Sequence, residues 1–191
     1  MRTGPLSFDP VVVGNRETDA WAAYYRHDWR RFLIASVGMV AAGFGMSPSR
    51  TLTGAWYVLR ANQMWAPYPD NQPDAARAYM RRFYELVGRT SGLRFDPAEA
   101  ARLEVEWWRV HRAHQHYGTE EHLETALVDL YAYVYDADRT AVGPAAQKRV
   151  EAMDLSDRWV RAGCSLDHPL LTEERRALVA SYAALRIAVE R

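Results

Sequence analysis

The chain is poor in the residues that staple a fold or bias its charge. One of its 191 residues is cysteine, Cys164, so no internal disulfide forms and a Cys-based zinc site is excluded. One is lysine, Lys148; arginine supplies the rest of the positive charge, and Lys plus Arg equals Asp plus Glu at 24 each. With no basic excess the sequence lacks the electrostatic footprint of a nucleic-acid binder and gains no attraction to anionic lipid. The one membrane-like run, Phe32 to Met46, stops short of the roughly 20 apolar residues that a span requires. It reads as a buried helix. The first ten residues lack an apolar signal core, and a cytoplasmic protein is expected. Gly-rich phosphate loops, nucleophile elbows and zincin motifs are all missing.

What the sequence does have is aromatic side chains, seven Trp and eleven Tyr, and apolar residues stepped by three and four. That period is helical, and no strand-like alternation or internal repeat interrupts it. The length suits one domain that buries its own core. The expected fold is all-α, a single-domain bundle of about six or seven helices at residues 16–191. An N-terminal arm at 1–15 precedes it, broken by Gly4, Pro5, Pro10 and Gly14. Thr18 is expected to cap a long first helix running to Phe44. Its second half is apolar all round, as in a helix buried at the centre of a bundle. Ala35, Gly38, Ala42 and Gly45 give that half a small-residue stripe for close approach of a neighbour or a ligand.

Further helices are expected at about 51–66, 73–87, 96–117, 119–135, 144–162 and from Thr172 to the end. Thr119 would cap the fifth of these seven, with Glu120 and Glu121 complementing its dipole. Pro144 would open the sixth. Between Ala66 and Pro73 three prolines stiffen a loop that carries Tyr68 next to Trp65, a candidate rim or lid. Asn62 and Gln63 are amides among apolar neighbours, suited either to helix-end contacts or to a pocket wall.

The segment 96–117 carries the most chemistry. Asp96, Pro97 and Glu99 form a helix start. Ala100, Leu103, Trp107, Val110, His114 and Tyr117 then form an apolar stripe with a histidine in it, while Glu104, Trp108, His111 and Gln115 lie on its flank. At helical pitch His111 projects about 60° from His114, and Glu104 about 20° from His111. Two imidazoles and a carboxylate on adjoining lines suit iron or zinc, so Glu104, His111 and His114 are candidate ligands of a metal-dependent oxidase or hydrolase. The Glu104-x6-His111 spacing resembles the first ligand pair of the haem-oxygenase-like di-iron oxidases. Their later Asp-x-x-x-His pair has no counterpart here, because Asp167 and His168 are adjacent and precede Pro169.

The favoured expectation is a binding module. Its ligand would be a small apolar or aromatic molecule, or a partner helix, held by Trp107, Trp108, His114, Gln63 and Trp65. Aromatic density of this kind covers pockets or subunit interfaces, so a homodimer is also expected. A purely structural or interaction protein is the remaining alternative. Asp154 and Asp157 each have an arginine four residues on and read as surface ion pairs.

Overall fold

The computed structural model describes residues 4–117 and 122–190 and is helical throughout. Among the described residues there are eight helices and no strand: α1 Pro10–Tyr25, α2 Trp29–Phe44, α3 Pro48–Trp65, α4 Pro73–Ser91, α5 Pro97–Tyr117, α6 Leu123–Tyr135, α7 Arg139–Arg161 and α8 Pro169–Val189. None of them is long and apolar enough to cross a membrane. Each helix packs chiefly on its neighbours in the chain, and α8 closes onto α1. The eight therefore form a ring, and side chains rather than helix pairs fill its middle.

The long first helix of the sequence reading is two helices. The chain turns at residues 26–28, where His27 adopts a left-handed φ of 54° and Asp28 caps α2 by accepting from the Arg31 N–H. An Asp cap outweighs continued apolar periodicity at that point. The same chemistry starts α1 earlier than expected. Asp9 accepts from the Val11 and Val12 N–H groups and Pro10 takes the first turn, so residues 10–15 are helical. Thr18 lies inside α1, fully buried, with its hydroxyl donating back to the Gly14 carbonyl. As part of the ring wall, α2 is not buried all round, and Ile34 is exposed. Its small stripe meets α1: a Cβ on Gly38 would stand 2.8 Å from the Arg16 side chain.

Elsewhere the boundaries shift without changing the elements. Asp138 caps α7 and places Pro144 inside the helix rather than at its start, and α4 continues past Gly88 to a left-handed Gly92. His168 caps α8 through Nδ1, ahead of Thr172. Asp96 holds the start of α5 as its sequence implies, accepting from the Ala98 N–H. The Thr119 cap with Glu120 and Glu121 lies outside the described residues.

Candidate functional site: two chambers and a tryptophan wall

The centre of the ring is a chamber of about 190 Å³, to which every helix contributes. Val13, Met39, Val58, Met80 and Leu130 represent its apolar side. Its polar side is organised by Arg149 of α7, which forms a buried two-pronged ion pair with Glu17 of α1. The Arg149 guanidinium also lies over Trp21 and Trp107, at 5.5 and 5.4 Å from the ring centroids. A charge this deep is tolerated because it is paired, and aromatic faces add to that stabilisation. Beside this pair the Tyr131 hydroxyl lies against the Arg149 guanidinium, and neither it nor Arg149 Nε makes a well-formed hydrogen bond among the described residues.

Glu104 of α5 reaches the same chamber from the other side. Its Oε1 accepts from both indole N–H groups, Trp107 at 3.1 Å and Trp108 at 3.2 Å, and its Oε2 accepts from Tyr84 at 2.7 Å. Glu104 is half-buried and lines this cavity. Burial raises its carboxyl pKa above the usual range, against the opposing effect of the Tyr84 hydrogen bond and the Arg149 charge. Burial likewise raises the hydroxyl pKa values of Tyr84, Tyr131 and Tyr135.

A second cavity of about 230 Å³ adjoins the first. Trp21, Phe32, Asn62, Trp107 and Trp108 line both, so these side chains are the wall between an inner and an outer chamber. The outer chamber is bounded by α1, α3, α5 and the loop that follows α3. Trp65 and Tyr68, the two aromatics flagged beside the proline-rich loop, line it. The Tyr68 ring stacks on His116 with centroids 4.1 Å apart, and its hydroxyl bonds that of Tyr117 at 2.9 Å. Arg112 crosses the floor, donating to the Trp65 carbonyl at 2.7 Å and the Tyr24 hydroxyl at 3.1 Å. Behind this wall the buried Asp157 accepts from His111 Nε2 and from Gln115.

Of the sequence candidates for ligand binding, the structure brings together Trp65, Trp107 and Trp108. Gln63 lines neither chamber and accepts from Arg60, while its neighbour Asn62 lines both. His114 is not a core residue. Its side chain is 42 % exposed and faces Asp154 of α7 at 3.8 Å, on the outer side of the last turn of α5, whereas Gln115 and His116 of that turn line the outer chamber. His111 is the shielded histidine, at 12 %. The three candidate metal ligands are thus engaged separately: Glu104 with Tyr84 and two indoles, His111 with Asp157, His114 with Asp154. Among the described residues no group of three His, Cys, Asp or Glu side chains is arranged to hold a metal ion. Asp157, read as a surface partner of Arg161, is instead buried against α5.

Sequence reasoning passed over Arg112 and Arg149. Both sit among outward-looking charges on their helices, and only the ring's closure turns them inward. Comparison of the chain with models of protein families, with curated proteins and with solved structures gives no match.

Proposed function

We propose that this protein binds a small aromatic or apolar molecule in the paired chambers, with Trp107 and Trp108 as the side chains in common contact. The observation that carries the reading is the shared wall: two cavities meet across indoles whose positions are set by one carboxylate. An apolar cavity of about 150 Å³ holds benzene, so chambers of about 190 and 230 Å³ each accommodate one or two rings. The walls provide the apolar and aromatic surface with few polar groups that small-molecule sites use. Titration with neutral one- and two-ring aromatics, read by tryptophan fluorescence and thermal unfolding, tests this. A saturable change in emission with a rise in Tm is expected; no response to any of them contradicts it.

The reading includes a homodimer. Leu52 and Trp56, one turn apart on the outer face of α3, are 58 % and 50 % exposed, and together they offer an apolar contact for a second copy. A solution mass of one chain by light scattering would rule the dimer out.

A further inference from the structure

The two arginines that point into the ring differ in how their charge is met. Arg149 is neutralised by Glu17, whereas no carboxylate among the described residues pairs with Arg112. Arg112 is nevertheless held in place. Two of its N–H groups are fixed by the Trp65 carbonyl and the Tyr24 hydroxyl, and its guanidinium lies 4.5 Å from the Trp65 ring centroid and 5.6 Å from that of Tyr68. Among the described residues the remaining donors of its guanidinium have no hydrogen-bond partner, and a guanidinium is the group that meets a carboxylate in two-pronged fashion.

The chamber around it has the same bias. None of the described residues that line it is Asp or Glu, while His27, His111, His116 and Arg112 are all among them. Two carboxylates adjoin the chamber without lining it: Asp157, whose oxygens are taken by His111 and Gln115, and Glu104, on the inner side of the wall, whose oxygens are taken by Trp107, Trp108 and Tyr84. Among the described residues a cationic ligand would find aromatic faces in this lining but no carboxylate, and Arg112 would oppose it. An anion finds a preset, aromatic-flanked guanidinium.

We infer that the ligand of the outer chamber is an aromatic monocarboxylate, its carboxylate on Arg112 and its ring against Trp65 and the Trp107–Trp108 wall. This rests on the small-molecule reading above and adds to it the charge and the orientation of the ligand. The chamber's volume suits one or two rings with a short acid arm rather than a long acyl chain.

The test is a matched trio of indole, indole-3-acetate and tryptamine, which share a ring and differ in charge, titrated calorimetrically into the whole protein and into Arg112→Gln and Arg112→Lys. Indole-3-acetate is expected to bind about tenfold or more tightly than the other two, the usual scale for a hydrogen bond to a charged group. Arg112→Gln should erase that preference, read as the ratio of indole-3-acetate to indole affinity within the same variant, while Arg112→Lys, which keeps the charge but not the fork, should retain part of it. Indole binding without preference for the acid, or a preference that survives Arg112→Gln, overturns the inference and leaves the small-molecule reading standing. Binding of none of the three overturns both. Circular dichroism establishes that each variant is folded, and the lysine variant carries the test should the glutamine variant not be.

Discussion

Glu104 is a carboxylate asked to satisfy three neutral donors. Trp107, Trp108 and Tyr84 each lose their acceptor if it is truncated, and each buried donor so orphaned costs about 1–3 kcal/mol. Glu104→Ala is therefore expected to lose about 3 kcal/mol or more in urea unfolding and to shift the tryptophan emission, since both indoles lose their anchor. Glu174 poses the opposite problem. It is fully buried on α8, neither oxygen has a well-formed protein hydrogen bond, and burial raises its pKa to about 8, with Ser156 and Arg175 only partly opposing. The folded chain thus holds a proton that the unfolded chain, with a carboxyl near about pH 4.3, gives up. The stability this supplies is complete below about pH 4.3 and is lost as pH rises through about 8. Glu174→Gln should remove that dependence and be the more stable protein at pH 9, as denaturant midpoints at several pH values would reveal.

At the scale of elements, the close approaches are what hold the ring shut. A Cβ at Gly14 would lie 2.9 Å from the Cα and N of Val179, so α1 and α8 meet there backbone to backbone. Backbone cannot yield as a flexible side chain can. Gly14→Ala is expected to destabilise the fold by about 1–3 kcal/mol through overpacking, despite the better helix propensity of alanine; thermal unfolding decides the sign. Helix identity was legible from periodicity and caps almost everywhere, as at Asp96 and Pro97. What misled was apolar continuity. Trp29 to Phe44 continues the pattern of the preceding segment closely enough to hide Asp28, and Gly14 looks like a breaker until its partner helix is known. Both errors have one source: a cap or a contact made in three dimensions outranks a local preference.

In the whole molecule, closing eight helices into a ring creates an interior that no single helix specifies. The aromatic wall was partly readable, since Trp65, Trp107 and Trp108 are prominent, with Trp107 on the apolar stripe of α5 and Trp108 on its flank. The charged residues of the interior were not. Glu17, Arg112, Arg149 and Asp157 belong to helices that also carry solvent-facing charges, and their inward turn follows from where α1, α5 and α7 face one another across the centre. His114 misled for a related reason: it continues the apolar stripe of α5, but at the last turn that line faces Asp154 at the rim while Gln115 and His116 face the chamber.

The most direct measurement on the central claim is the indole N–H spectrum of the protein labelled with nitrogen-15 during titration with indole. The seven tryptophans give separate signals, and Trp56, half exposed on α3 away from both chambers, is an internal control. The two-chamber account predicts saturable shifts at Trp107 and Trp108 with Trp56 unmoved. Static Trp107 and Trp108 signals, or shifts no larger than that of Trp56, would contradict it.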